Sequence, residues 1–191
     1  MKETLSIKKM QMSVVAVVMA AVVALGMGAF AQQAYAEEAV ALGKTASVTY
    51  KNVKFTFKNK SVKTEGVTLV KVKELKSVSK ITVPNAVKLN GHVYKVYSID
   101  AKAFKGTKAK TIVLQANAKS KLAKIKANAF KGSKATKLIV KNKKLAKSNV
   151  AKNWLKGSKI KTVKAPSAKV KLFKSLSKKA YSGKAGVKVT K

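Results

Sequence analysis

Hydrophobic and polar positions alternate in a pattern that occurs three times between Ile99 and Pro166. The positions that define the first copy are Ile99, Ala103, Phe104, Gly106, Ile112 and Leu114. Residues of the same kind follow 26 residues later in the second copy, and a looser third copy, beginning at Val150, follows after another 25 residues. A fixed period of this size is typical of proteins built from stacked structural repeats.

Each copy predicts the same short series of elements. Ile99, Ala103 and Phe104 stand at i, i+4 and i+5, so one or two turns of helix would place them on one face. Gly106 supplies the positive φ at which such a helix can end. Ile112 and Leu114 alternate with less apolar residues, which is the period of a strand with one buried face.

No single copy can bury its own apolar face, so the pattern predicts stacking of neighbouring copies. One predicted ladder consists of Phe104, Phe130 and Leu155, and a second of the pairs Ile112/Leu114, Leu138/Val140 and Val163/Ala165. The residues that would then face outward, and that form the predicted partner-binding strip, are Thr111, Val113, Lys137, Ile139, Lys141, Thr162 and Lys164. The alternative is that these are ordinary strand formers and solubilising lysines.

The string Ser98-Ile99-x-x-x-Ala103-Phe104-x-Gly106, repeated at this spacing, resembles the leucine-rich repeats of the bacterial BspA-like family. The resemblance implies a mainly β fold with short helices: a leucine-rich-repeat solenoid of about three repeats, with an N-terminal β cap and a C-terminal helix/strand cap. It also implies a secreted or cell-surface protein, because the family is known mainly for such members, some of them implicated in adhesion.

The resemblance covers about Val67 to Pro166 and, more weakly, the C-terminal tail. Ala109 and Ala135 stand where the family usually has Leu, which implies a thinner core. Trp154 stands where the family has Ala, and a side chain of that size can fill the space that a fourth repeat would occupy.

Residues 51–97 are interpreted as the N-terminal β cap that precedes the solenoid of residues 98–166. Val53, Phe55 and Phe57 alternate with polar residues, and the segments 67–72 and 81–83 predict further strands. Asn90-Gly91 between two apolar segments predicts a β-hairpin, because both central residues of a type I′ turn require positive φ. Residues 37–50 show no periodicity and are expected to be a flexible segment.

Residues 167–191 are interpreted as a C-terminal cap. A helix is predicted over Ala168–Tyr181, because apolar residues recur there on one helical face. Val187 and Val189 alternate in a closing strand. The alternative is a frayed basic tail, since the helix is short and rich in lysine.

Residues 1–36 have the organisation of a secretory signal peptide. Three lysines near the start precede an uncharged apolar run over Val14–Ala31 and the cleavage box Ala34-Tyr35-Ala36. Cleavage there would leave a mature protein beginning at Glu37, with no membrane span. The alternative is a retained membrane anchor, because the apolar run is nearly long enough to cross a bilayer.

The sequence contains few residues of the types that carry out catalysis. The chain has one histidine, His92, and no cysteine, and its six acidic residues fall in no paired or ligand-like spacing. Metal sites and general acid/base pairs both require such clusters. We therefore predict no enzyme activity, no metal and no cofactor; His92 is expected to be a solvated turn residue and Asp100 a helix N-cap.

Charge is the unusual property of this sequence. It has 43 basic and 6 acidic residues, a formal net charge of +37, and every basic residue is lysine. Removal of residues 1–36, with three lysines and one glutamate, would leave +35. Such a surface attracts anions, and outside the cell these are wall polymers, anionic membranes, sulfated glycans and extracellular nucleic acid.

The absence of arginine reduces the range of anionic ligands that the sequence predicts. Arginine reads guanine edges and clamps phosphates in two-point contact, whereas lysine acts as a mobile point charge. Sequence-specific nucleic-acid binding is therefore not expected. The sequence predicts a secreted, non-enzymatic module that binds anionic cell-surface or matrix polymers; the alternative is an adhesin that binds a surface protein through the exposed strands.

Overall fold

The computed structural model describes residues 39–59, 66–116, 122–180 and 186–191, so the predicted signal peptide lies outside the described residues. The fold is mainly β with one short helix. The strands are β1 (Thr45–Tyr50), β2 (Val53–Asn59), β3 (Gly66–Glu74), β4 (Lys80–Val83), β5 (Ala86–Leu89), β6 (His92–Ile99), β7 (Thr111–Leu114), β8 (Lys124–Ile125), β9 (Lys137–Val140), β10 (Thr162–Lys164) and β11 (Lys188–Thr190). The helix, α1, spans Val170–Ala180. None of the helices among the described residues has the length and apolar character that a membrane crossing requires.

Five strands form a parallel sheet in the order β4-β7-β9-β10-β11. Their pairing aligns one apolar residue from each strand: Ile81, Ile112, Leu138, Val163 and Val189. The first four of these side chains are fully buried, so the face that carries them is packed against the core. The alternation in the sequence predicted this inward face for β7, β9 and β10, and predicted β4 as a strand of the N-terminal cap.

The second sheet has the order β1-β2-β3-β6-β5, with β8 also paired to β6. It is antiparallel except for the parallel pairs β3–β6 and β6–β8. Leu69, Ile99 and Ile125 are aligned by these parallel pairs, and a further parallel bridge joins Ile125 to Val150. This second ladder runs through the same successive chain segments as the parallel sheet.

The strands predicted before residue 97 are confirmed, and one was missed. The hairpin turn has Asn90 at φ 45° and Gly91 at φ 70°, as the type I′ prediction requires. The segment 37–50 was predicted to be flexible, but β1 occupies Thr45–Tyr50 and pairs antiparallel with β2. Its side chains are mostly exposed, so no apolar alternation marks it, and pairing with the strongly alternating β2 holds it in place.

The short helices predicted in each repeat are not formed. Residues 101–106, 127–132 and 152–157 are hydrogen-bonded turns. Lys102 and Asn128 lie at φ 56° and 57°, and a left-handed residue cannot continue an α-helix. The positive φ predicted for Gly106 is confirmed, at 83°.

The turns stack on one another through backbone hydrogen bonds. Lys102 N–H donates to Asn128 O, and Gly106 N–H donates to Gly132 O at 3.0 Å. The next pair of turns repeats both bonds one copy further along, where Asn128 N–H donates to Asn153 O and Gly132 N–H donates to the carbonyl of Gly157. Main-chain groups that would otherwise be unpaired at each turn are thereby satisfied by the neighbouring copy.

A stack of aromatic rings fills the core beneath these turns. The ring centroids of Phe104 and Phe130 are 5.0 Å apart, and Trp154 meets Phe130 edge-on at 5.9 Å. Phe173 of α1 extends the stack, 5.7 Å from Trp154, and all four side chains are fully buried. The helix predicted over 168–181 is thus confirmed over Val170–Ala180, and its apolar face is packed against the last turn.

Candidate functional site

The candidate site is the face of the parallel sheet that points away from the core, which we call the outer face. Alternate residues of β4, β9 and β10 are buried, so the residues between them project outward. Lys137, Lys141 and Lys164 are exposed there, and Thr111 and Thr162 are half-buried. The sheet register places Thr111, Lys137 and Thr162 side by side, as the sequence predicted.

The apolar part of this face is smaller than predicted. Val113 was expected to be exposed, but only 5% of its surface is accessible, and Ile139 is half-buried. Val113 sits on β7 between Thr82 of β4 and Ile139 of β9, so flanking side chains cover it on both sides. The outer face is therefore mainly a lysine and threonine surface.

The sequence prediction left out both ends of this face. Lys80 and Thr82 extend it on β4, and Lys188 and Thr190 extend it on β11. Both segments were predicted as strands but were assigned to the caps. The signal was present in the sequence, because the alternation around Ile81/Val83 and Val189 matches that of the repeats.

Two acidic residues lie in the described part of the chain, and each is engaged elsewhere. The Glu74 carboxylate accepts hydrogen bonds from the N–H groups of Lys108 and Ala109, the latter at 2.7 Å. Asp100 Oδ1 accepts from Lys126 Nζ at 2.9 Å and from the neighbouring Ala101 N–H, so it is not a helix N-cap, because no helix follows it. Within the described residues, no carboxylate belongs to the strands of the outer face.

A second basic surface lies at the C-terminal end of β3. A cleft of about 620 Å³ is bounded by β3 and the turn around Gly106, and contains the Glu74 side chain described above. The lysines that line it are Lys71, Lys73, Lys76, Lys105 and Lys108. Its wall includes a carboxylate held by backbone groups, so it offers an anion a less uniform positive field than the outer face does.

The described residues offer no catalytic centre that we can assemble. None of the His, Cys, Asp and Glu residues in the described ranges form a group of three that could hold a metal ion. His92 is exposed beside the hairpin turn. The absence of an enzyme activity stays a prediction from the sequence.

Comparisons with known proteins do not identify a family for this chain. No family model and no curated protein matches this chain. A search of solved structures finds the crystal structure of the pneumococcal vaccine antigen PcpA, with 18% sequence identity and a TM-score of 0.37 over 65% of this chain. The match covers 29% of the PcpA chain, and a TM-score this low does not establish a common fold.

Proposed function

We propose that this chain is a secreted, non-enzymatic binding module that associates with anionic polymers of a cell surface or matrix. The observation that carries the proposal is the outer face, where Lys80, Lys137, Lys164 and Lys188 project from four strands of one sheet. The described strands of that face carry no carboxylate to neutralise them.

We further propose that the fold is a leucine-rich-repeat solenoid of the BspA-like kind. Three observations support this: the in-register parallel pairing of five strands, the second ladder through Leu69, Ile99, Ile125 and Val150, and the stacked turns with their aromatic core. In this proposal, the chain from β3 to β4 forms one coil more than the three that the sequence pattern marks.

Lysine suits this role because its ammonium group acts as a point charge on a flexible stem. Each contact with an exposed anion is worth little, about 0.2–1 kcal/mol, so affinity comes from several weak contacts made together. Such binding weakens steeply as salt rises, because it releases counterions from the polymer. Strong salt dependence is therefore the expected signature.

The proposed place of action is outside the cell. The predicted signal peptide would direct export. At the cell surface, the exposed lysines would hold the protein to the polymers that it binds.

The alternative role is a protein-binding adhesin that uses the same strands. Burial of Val113 removes much of the apolar strip on which this alternative depended. Protein interfaces are usually built around buried aromatic and aliphatic residues, and the outer face offers few of these. The polyanion role is therefore the better supported of the two.

Retention of residues 37–191 on immobilised heparin and on purified wall polymer, across a salt gradient, tests the proposal. Polylysine of matched charge is the control. The proposal expects the folded protein to elute at higher salt than polylysine, and replacement of Lys137, Lys141 and Lys164 by Ser to lower that salt. Elution together with polylysine would contradict a shaped site, and saturable protein binding that survives high salt would favour the adhesin.

A further inference from the structure

A lysine stands at the start of each strand of the parallel sheet, either as the first residue of the strand or as the residue just before it. The five dipeptides, in the order of the strands, are Ser79-Lys80, Lys110-Thr111, Thr136-Lys137, Lys161-Thr162 and Val187-Lys188. We call these ten residues the alternating lysine edge. The lysine is the second residue of the dipeptide at β4, β9 and β11, and the first residue of the dipeptide at β7 and β10.

The sheet register converts this alternation into two rows. Pairing aligns the second residues of the dipeptides. Lysine and threonine therefore alternate in one row, which we call the outer row: Lys80, Thr111, Lys137, Thr162 and Lys188. One residue earlier, Lys110 and Lys161 precede the two strands that carry threonine. Backbone bonds hold this second row in step, since Lys110 O accepts from Thr136 N–H and Thr136 O accepts from Lys161 N–H.

The spacing within each row follows from the geometry of a sheet. Adjacent strands are about 4.8 Å apart, so lysines on alternate strands are separated by roughly 9.6 Å at the backbone. The two rows have the same spacing and are offset by one strand. Lys110 and Lys161 precede their strands and are exposed, so the alternation of faces within a strand does not direct them toward the core. A linear ligand that lies along this edge would therefore meet one lysine per strand, alternately from one row and the other.

All five lysines of the edge are exposed, and Ser79 and Thr136 are exposed beside them. The half-buried hydroxyls of Thr111 and Thr162 lie between lysines of the outer row. Exposed aromatic side chains of the kind that stack on bases occur at Tyr50 and Tyr97, but these belong to β1 and β6 of the other sheet. Charges interspersed with hydroxyls suit a sugar polymer better than a nucleic acid.

We infer that the alternating lysine edge binds a linear polysaccharide that carries two anionic groups, a carboxylate and a sulfate, in each disaccharide. An extended disaccharide has about the length of two strand spacings, so its carboxylates would fall on one lysine row and its sulfates on the other. The threonine hydroxyls between the lysines can donate to or accept from ring hydroxyls. This inference rests on the proposed function and names the ligand class for it.

The chain allows a test at constant composition. The double substitution Thr136→Lys with Lys137→Thr moves one lysine from the outer row to the other row, and leaves net charge and composition unchanged. The matched control is Lys174→Ser with Ser175→Lys, an exchange between two exposed positions of α1. Thermal melts followed by the fluorescence of the single tryptophan, Trp154, establish that each variant is folded.

Affinity for chondroitin sulfate, measured by calorimetry at physiological salt, is the readout. The exchange at 136/137 should weaken binding about two- to fivefold, the range of one exposed ion pair, and the control exchange should leave affinity unchanged. The slope of log affinity against log salt should fall slightly in the 136/137 variant, because one ion pair with the polymer is lost, and should stay the same in the control. Hyaluronan, with one anionic group per disaccharide, and single-stranded oligothymidylate should bind more weakly at equal total charge.

The outcomes separate this inference from the proposed function. If the 136/137 variant binds chondroitin sulfate as tightly as the parent, the arrangement of lysines does not matter and the inference fails, while polyanion binding stands. Equal or tighter binding of hyaluronan or oligothymidylate also overturns it. If the parent protein binds no polyanion better than polylysine does, the proposed function itself fails.

Discussion

Glycine ends each of the three turns because the backbone there adopts a positive φ. Gly106, Gly132 and Gly157 all lie at positive φ, between 71° and 83°, which side-chain-bearing residues adopt at a cost. At Gly157 an added Cβ would also lie 2.9 Å from Lys131 Cγ of the preceding turn. All three glycines thus allow the turn, and Gly157 also allows the close approach of the preceding copy.

Substitution of Gly157 by Ala should destabilise the protein. The backbone conformation alone should cost about 1–2 kcal/mol, and displacement of the Lys131 side chain adds to this. Urea unfolding followed by Trp154 fluorescence measures the effect. Gly186→Ala is the control, since Gly186 has an ordinary φ and open space around it. Equal stability of the two variants would contradict the strained geometry at Gly157.

The turn glycines could be predicted from the sequence, whereas the left-handed residues near the start of the first two repeat turns could not. A glycine at the same place in every copy indicates positive φ, because no other residue adopts it so readily. Lys102 and Asn128 occupy one repeat position and are both left-handed, but lysine gives no signal of this conformation. That omission is why the sequence predicted short helices where the chain forms turns.

At the scale of elements, α1 packs on the core through one aromatic contact to the repeats and through the buried Leu176. Phe173 is fully buried against Trp154, whose ring in turn meets Phe130 edge-on. The helix is only eleven residues long, and helices of this length are marginal by themselves in water. Its stability therefore depends on packing against the last turn.

Replacement of Phe173 by Ala should remove this packing. Truncation of a buried Phe to Ala costs about 3–5 kcal/mol, and water admitted beside Trp154 should shift its emission to longer wavelength. Lys174→Ala, at an exposed neighbouring position, is the control and should change neither property. If the Phe173 variant keeps the stability and emission of the parent, the helix is the frayed tail that the sequence left as an alternative.

Elements with a strong apolar alternation were predicted correctly, and the exceptions have a physical cause. β2, β4 and β9 each show the pattern because one face is buried. β1 exposes most of its side chains on both faces and is specified by pairing with β2. Single-chain periodicity reports burial, so a strand held by pairing alone escapes it.

Repulsion among lysines acts on the whole molecule. The chain has a formal net charge of +37, and a large excess of one sign opposes compaction. The hydrophobic core has to outweigh this repulsion in the folded state. Stability should therefore depend on ionic strength more than it does in proteins with balanced charge.

Raising sodium chloride from about 0.1 M to about 1 M shortens the screening length from about 10 Å to about 3 Å. We expect the melting temperature to rise by several degrees over this range, because each kcal/mol corresponds to roughly 2–4 °C in a domain of this size. Calorimetry measures the shift. An unchanged or lower melting temperature would contradict a dominant role for lysine repulsion.

The candidate site was predictable in part, because its definition depends on long-range pairing. Alternation located Lys137, Lys141 and Lys164 on one face, and the structure brings these strands together. Neither the inclusion of Lys80 and Lys188 nor the burial of Val113 follows from one copy of the repeat. Both depend on which strands become neighbours in the sheet.

The most direct test of polyanion binding through the outer face is to map it by amide chemical shifts in the isotope-labelled protein. A sulfated oligosaccharide is titrated at physiological salt, and the shifted amides are assigned. We expect them to cluster in β4, β7, β9, β10 and β11 and in the residues just before these strands. Shifts spread over every lysine-bearing surface, including β2, β3 and α1, would show that charge alone governs binding and would contradict a site on this sheet.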